Sequence, residues 1–219
     1  MPLFWLRRPH VPLLALLLAL IAFYPLVERS YAGRWLFNLI AVVGVIFSLQ
    51  RIHASRTGIR LSGALGVVAL VAQILHWSDS LPHAGVVSAI AQSGFYVGAA
   101  TLQVRYILRD TRATVDELFS AAVAFLLLSL AWASVYWCVD YFVPGSFAVA
   151  HGATAHSPTW YELFYFSVTT LSTTGFGDVV PVSSAARSVT ILEQLAGVLY
   201  VALIISRLAG FAARPRPVD

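Results

Sequence analysis

The chain has 219 residues, of which 59% are hydrophobic and only 11% are charged, and its formal net charge is +4. So few charges exclude a soluble globular protein and indicate an integral membrane protein built from helices. The positive charge comes from arginines scattered along the chain, which argues against a nucleic-acid-binding surface.

Six apolar stretches approach the length that a helix needs to cross a bilayer. The predicted spans are residues 11–27, 35–49, 61–77, 84–104, 118–141 and 185–208. The first span also has features of a secretory signal, since Arg7 and Arg8 precede it and the small residues Ser30 and Ala32 lie just before Gly33. Pro25 makes a poor approach to a cleavage site, which favours an uncleaved span.

Arginines at the ends of these spans set the expected orientation through the positive-inside rule. The side expected to be cytoplasmic holds Arg7, Arg8, Arg51, Arg56, Arg60, Arg105, Arg109, Arg112, Arg207, Arg214 and Arg216. The opposite side holds Arg29, Arg34 and Arg187. We therefore expect both termini in the cytoplasm and expect the loop of residues 143–184 to enter from outside.

The fourth span lacks the charges of a voltage sensor. Each charge that crosses the membrane field contributes about 2.3 kcal/mol per 100 mV, so a sensor needs several arginines within the span. Residues 84–104 contain none, and Arg105, Arg109 and Arg112 follow the span. The first four spans are therefore expected to form a non-sensing domain. A voltage sensor is the alternative, and a steep voltage dependence would favour it.

The fifth span and the loop after it contain few chemically reactive residues. Cys138 has no second cysteine to pair with inside the chain, so a core or lipid-facing thiol is expected, with a bridge between subunits as the alternative. His151 and His156 do not have metal-ligand spacing. We expect them to be exposed loop residues, and proton sensing is the alternative.

A short aromatic helix is predicted at Trp160–Leu171, with Ser157 as its N-cap and Pro158 as its first residue. It is too short to span a bilayer. Its C-terminal carbonyls form the negative end of a helix dipole and would favour a dehydrated cation near the membrane centre.

The run from Thr173 to Asp178 follows this helix and has the pattern of an ion-selectivity filter. Gly175 and Gly177 alternate with larger residues. Glycine adopts conformations that other residues avoid, so successive carbonyl oxygens can turn to one axis and replace the water around an ion. The Thr173 hydroxyl could add a further ring of oxygens.

These residues resemble the potassium-channel pore family, whose usual filter is Thr-Val-Gly-Tyr-Gly-Asp. Four of the six positions match, and Thr174 and Phe176 replace the usual Val and Tyr. The resemblance implies K⁺ bound at Thr173, Thr174, Gly175 and Phe176, with Gly177 completing the filter. Phe176 lacks the phenol that would hold the filter open, so a weakly selective cation channel is the alternative.

The last span carries two candidates four residues apart, Glu193 and Gly197, which share one helix face. An acid in a membrane helix is a functional candidate, and the other interpretation is a carboxylate held by a hydrogen bond behind the filter or at a subunit boundary. The resemblance implies a gating hinge at Gly197. Its alternative is a small residue that permits close helix packing.

Asp178 is expected at the outer mouth, where it attracts cations or bonds to a neighbour, with Arg187 and Glu162 as candidate partners. In some members of the family a pore-helix Glu pairs with this Asp. The matching position here is Thr169, so that pair is missing.

The resulting fold class is an all-α membrane protein with six transmembrane helices and a re-entrant pore helix and filter loop between helices five and six. We divide it into an accessory domain (1–113), a pore domain (114–213) and a short cytoplasmic tail (214–219). One filter strand cannot surround an ion, and the chain has no internal repeat, so we expect a homotetramer. Because this tail is short, we expect no cytoplasmic ligand-binding domain.

The predicted function is passive K⁺ conduction, with no cofactor besides the permeant ion and no nucleic-acid partner. A cation transporter is an alternative, although paired inverted repeats are not visible. A membrane enzyme or scaffold is another, but the sequence shows no catalytic constellation. Arginine without lysine indicates a bacterial protein, so we expect a multi-pass protein of the inner membrane.

Overall fold

The computed structural model describes residues 10–27, 30–51, 56–77, 83–109, 115–149 and 157–212. Within these residues the chain forms seven helices and two short strands. In chain order they are α1 (Val11–Val27), α2 (Tyr31–Arg51), α3 (Arg56–Trp77), α4 (Ala84–Arg109), α5 (Val115–Phe142), β1 (Phe147–Val149), α6 (Trp160–Leu171), β2 (Val179–Pro181) and α7 (Ser184–Ala212). Five of these helices, α2 to α5 and α7, are long and apolar enough to cross a membrane. The all-α, multi-pass membrane class is confirmed.

Each predicted span lies inside one helix. The helices extend beyond the predicted spans mainly at ends that contain arginines. Helix α2 reaches Arg51, α3 begins at Arg56 and α4 ends at Arg109. Arginine is a good helix former, so these helices continue beyond the point where a hydrophobicity scan stops. Helix α1 has the predicted limits, but its 17 residues stand at the lower end of the range of about 17–25 needed for a crossing. The crossing by α1 stays a prediction.

One apolar core joins the helices of the N-terminal half to the short helix α6. Its buried members, taken from α1, α2, α4, α5 and α6, include Leu17, Val45, Phe95, Leu127 and Phe164. Tyr24 of α1 also stacks on Tyr161 of α6, with ring centroids 4.5 Å apart. Because such cores are close packed, the N-terminal part of α6 is held in place by helices from both halves of the chain.

A second apolar core lies around Tyr136, which is fully buried. The ring centroids of Phe147 and Phe166 each lie 5.1 Å from that of Tyr136. Leu163 and Val179 belong to the same cluster. This core packs α5, α6 and both strands together beside the filter loop.

Strands β1 and β2 form a two-stranded antiparallel sheet in which Phe147 pairs with Pro181 and Val149 pairs with Val179. This sheet was not predicted from the sequence, because strands of three residues are too short to show an alternating pattern. Strand β2 begins directly after Asp178. The sheet therefore fixes the path of the chain where it leaves the filter.

Helix α6 has the predicted limits, but its N-cap differs from the sequence prediction. Thr159, not Ser157, is the N-cap, and the helix begins at Trp160. The Thr159 hydroxyl accepts a hydrogen bond from the Glu162 backbone N–H at 3.2 Å, and the Thr159 N–H donates to the Glu162 carboxylate at 2.7 Å. The prediction that Ser157 and Pro158 open the helix is wrong, because this reciprocal capping box satisfies two amides at once.

Candidate selectivity filter

The backbone of the filter loop alternates between two conformations. Thr173, Gly175 and Gly177 have positive φ angles of 59°, 56° and 81°, and the residues between them do not. In an extended chain successive carbonyls point to opposite sides, whereas left-handed residues at every second position turn them toward the same side. This is the backbone that a row of carbonyl ligands requires.

Glycine adopts a positive φ without strain, whereas the same conformation strains the backbone of Thr173. A Cβ added at Gly175 or Gly177 would meet no atom of the chain within 4 Å. Steric crowding within one chain therefore does not require glycine at these positions. The left-handed backbone does.

The C-terminal end of α6 holds the filter through backbone hydrogen bonds. The N–H of Thr173 donates to the Thr170 carbonyl at 3.0 Å. The N–H groups of Thr174 and Gly175 both donate to the Thr169 carbonyl, at 2.8 and 3.1 Å. These helix carbonyls, which we expected to face a cation, are therefore used to bind filter amides. These bonds anchor the filter through its N–H groups. The filter carbonyls themselves are not hydrogen-bonded to α6 among the residues that the structure describes.

The two departures from the family pattern have local partners. The Thr174 hydroxyl lies 2.8 Å from the Ser172 hydroxyl, within hydrogen-bonding distance. The Phe176 ring is 69% exposed in the single chain and lies parallel to the Tyr165 ring, with centroids 6.3 Å apart and 6° between the planes. Thr174 thus gains a hydrogen bond that Val could not make, and Phe176 makes a stacking contact.

Asp178 forms its contacts close to the filter. Its carboxylate accepts a hydrogen bond from the Val179 backbone N–H at 3.0 Å. The candidate partners have other contacts within the chain: Arg187 donates to the Pro181 carbonyl at 3.3 Å, and Glu162 belongs to the capping box of α6. Tyr165, which sequence reasoning missed, contacts the filter loop through its stacking on Phe176.

Glu193 is fully buried behind the filter. Its carboxylate accepts a hydrogen bond from the Ser167 hydroxyl of α6 at 2.5 Å and another from the Tyr136 hydroxyl of α5. The sequence left open whether Glu193 is a functional acid or a carboxylate held by hydrogen bonds behind the filter. The structure shows the hydrogen bonds, and both partners belong to the same chain. Neither Tyr136 nor Ser167 was singled out from the sequence, although each is a polar residue within an apolar helix.

Gly197 lies against the end of the pore helix. A Cβ added there would overlap the carbonyl oxygen of Leu171. Close packing of α7 on α6 is therefore one reason for glycine at this position. The gating hinge implied by the resemblance stays a prediction.

The other end of α7 is tied to the start of α5. Arg207 donates from Nε and Nη2 to the two oxygens of Glu117, at 3.2 and 3.4 Å. The Tyr200 hydroxyl donates to the Ala121 carbonyl at 2.5 Å. Sequence reasoning placed Arg207 only as a marker of orientation and missed this ion pair.

Three further candidates from the sequence remain, Cys138, His151 and His156. Cys138 is a half-buried free thiol. His151 and His156 lie outside the described residues. Among the residues that the structure describes, no group of three or more His, Cys, Asp or Glu side chains could hold a metal ion.

Comparison with known proteins agrees with this geometry. Residues 121–214 match a family model described as ion channel. This part of the chain is similar to ion-channel domains. The match covers most of α5, the filter region and α7, so the resemblance to ion channels is confirmed for this part of the chain.

Two curated relatives are potassium channels. The voltage-gated potassium channel Kch of Escherichia coli (strain K12) is 35% identical over 66 residues, which cover 30% of this chain and 16% of the relative. The two-pore potassium channel 4 of Arabidopsis thaliana is 39% identical over 46 residues, which cover 21% of this chain and 16% of the relative. The chain thus spans only about one sixth of the length of either relative. No solved structure matches the chain at a significant level.

Proposed function

We propose that the chain forms a passive, K⁺-selective channel in which the carbonyl oxygens of residues 173–177 bind dehydrated K⁺. The observation that carries this proposal is the alternation of left-handed backbone at Thr173, Gly175 and Gly177. Rings of such carbonyls replace the hydration shell of the ion. The potassium-channel names of both relatives support K⁺ as the permeant ion.

Four copies of the chain would surround one conduction axis, since each chain supplies a single filter strand. The surface of α7 supports this assembly. Only 17% of the most apolar stretch of α7 is buried within one chain, whereas 56% of the corresponding stretch of α5 is buried. Its exposed large hydrophobic side chains include Ile191, Leu192, Leu195, Val198, Leu199, Val201 and Ile205. Asp178 would lie at the outer mouth of the assembled pore and attract cations.

Helices α1 to α4 would form an accessory domain that does not sense voltage, because the predicted fourth span, residues 84–104, carries no arginine. We place the protein in a bacterial inner membrane with both termini in the cytoplasm. The arginine distribution supports this orientation.

A weakly selective monovalent cation channel is the second candidate. Thr174 and Phe176 favour it, since both depart from the usual filter residues at positions next to the ion path. A cation transporter has less support, because transporters are typically built from paired inverted repeats and the sequence shows no such pair.

Co-reconstitution tests conduction and the fourfold assembly together. Gly175→Ala would strain the filter backbone and block conduction, since alanine rarely adopts a φ of 56°. If one blocked subunit closes a tetramer, a one-to-one mixture with the wild-type chain keeps about one sixteenth of the K⁺ flux into liposomes. A flux that falls only to half would contradict a shared pore.

Gly145→Ala is a matched control. Gly145 has a φ of 78° in the turn before β1, and a Cβ there would also meet no atom within 4 Å. The substitution imposes similar backbone strain outside the filter. Equal mixtures with this variant should keep most of the K⁺ flux.

A further inference from the structure

The Glu193 carboxylate connects three helices at one point. It lies on α7 and accepts hydrogen bonds from Ser167 on α6 and Tyr136 on α5. All three residues have a relative exposure of 0%. The side chain of Glu193 therefore links α7 with both α5 and α6, and α6 is the helix that leads into the filter.

Burial of this carboxylate is costly. Both of its partners are neutral hydroxyls, so no ion pair offsets the loss of hydration among the residues that the structure describes. A buried charge costs free energy unless it is both paired and hydrogen-bonded. Acids within membrane helices accordingly mark functional positions more often than stabilising ones.

A second contact lies one helical turn further along both helices. Glu193 and Gly197 are four residues apart on α7, and their partners Ser167 and Leu171 are four residues apart on α6. The carbonyl of Thr169, which binds two filter amides, lies on α6 between these two contacts. The segment of α6 that anchors the filter is thus held against α7 at both ends.

We propose that Glu193 is a positioning residue for the filter and thereby a determinant of selectivity between K⁺ and Na⁺. The inference rests on the proposed channel function. The carboxylate holds α6 at one height and rotation against α7, and α6 in turn fixes the filter amides. Ion sites must be held within fractions of an ångström to discriminate between cations, so a looser α6 admits Na⁺.

The test measures the Na⁺-to-K⁺ permeability ratio, from reversal potentials of the full chain in liposomes. Glu193→Leu removes both acceptors and keeps an apolar side chain. Ser167→Ala removes one donor. We expect both variants to raise the permeability ratio several-fold while the tetramer forms in normal yield. Glu193→Gln keeps one acceptor oxygen and should give an intermediate ratio.

Ser134→Ala is the matched control for Ser167→Ala. Ser134 is equally buried, but its hydroxyl donates to the Leu130 carbonyl of its own helix, α5, at 3.0 Å. Ser134→Ala should keep the permeability ratio of the wild type, because it breaks no contact between helices. If Ser167 serves only packing, Ser167→Ala should keep that ratio as well. If Glu193→Leu does not assemble, Ser167→Ala decides the question.

The two proposals can fail separately. A selective wild-type channel whose permeability ratio is the same in Ser167→Ala as in Ser134→Ala would overturn the role of Glu193 and leave the channel function intact. A wild-type chain that assembles but passes no K⁺ would instead contradict the proposed function itself.

Discussion

The backbone of Gly197 packs directly on the carbonyl oxygen of Leu171, the last residue of the pore helix. This contact brings the middle of α7 against the point where the chain enters the filter. Any side chain at position 197 has to displace one of the two helices.

Gly197→Ala should therefore destabilise the protein. Overpacking of a close contact costs about 1–3 kcal/mol, and the change should lower the thermal unfolding temperature in detergent. Gly63→Ala in α3 is the control, because a Cβ there would meet its nearest neighbour, the Ile46 side chain, only at 4.0 Å. Alanine should be neutral or stabilising at that position. If Gly197→Ala is as stable as the wild type but has an altered open probability, glycine serves as a hinge.

The ion pair between Arg207 and Glu117 should stabilise the packing of α7 on α5. The Glu117 side chain is only 5% exposed, so Glu117→Gln leaves a guanidinium beside an uncharged, buried partner. We expect a loss of about 1–3 kcal/mol in the free energy of unfolding. The measurement is a double-mutant cycle with Arg207→Gln. A coupling energy near zero would show that the two side chains do not stabilise each other.

The N-cap of α6 gives a test in which sequence and structure disagree. Thr159→Ala removes the capping hydroxyl and should cost about 1 kcal/mol. Ser157→Ala changes an exposed residue outside the capping box and should stay within about 0.5 kcal/mol of the wild type. Unfolding in denaturant measures both variants. A larger effect at Ser157 would restore the cap that was predicted from the sequence.

The hydrogen bond between Thr174 and Ser172 should be worth about 0.5–1.5 kcal/mol. Thr174→Val and Ser172→Ala each remove it, and Ser172→Ala also removes the bond from the Ser172 hydroxyl to the Thr169 carbonyl. The double variant should therefore lose little more stability than Ser172→Ala alone. Thermal unfolding of the three variants checks this non-additivity. Strictly additive losses would mean that the two hydroxyls act independently.

Hydrophobicity and local signals predicted much of the fold. The limits of α1 and α6 follow from apolar runs that end in breaks of the pattern, and the left-handed backbone at Gly175 and Gly177 follows from glycines at alternate positions. The N-cap was misread although its signal was present: Thr159 and Glu162 have the spacing of a capping box, and the Ser-Pro pair just before them also fits a helix start.

The contacts around the filter could not be read from the chain. Glu193 lies 26 residues from Ser167 and 57 from Tyr136. Hydrogen bonds over such separations depend on how helices pack, which a hydrophobic pattern does not specify. The pairing of β1 with β2 was missed for the same reason, since it joins segments on either side of α6.

The reversal potential of the wild-type chain in liposomes, with K⁺ on one side and Na⁺ on the other, tests the central claim most directly. A value near the K⁺ equilibrium potential, with current lost in Gly175→Ala and kept in Gly145→Ala, is the result we predict. A value near zero would contradict K⁺ selectivity. A current that persists in Gly175→Ala would contradict conduction through residues 173–177.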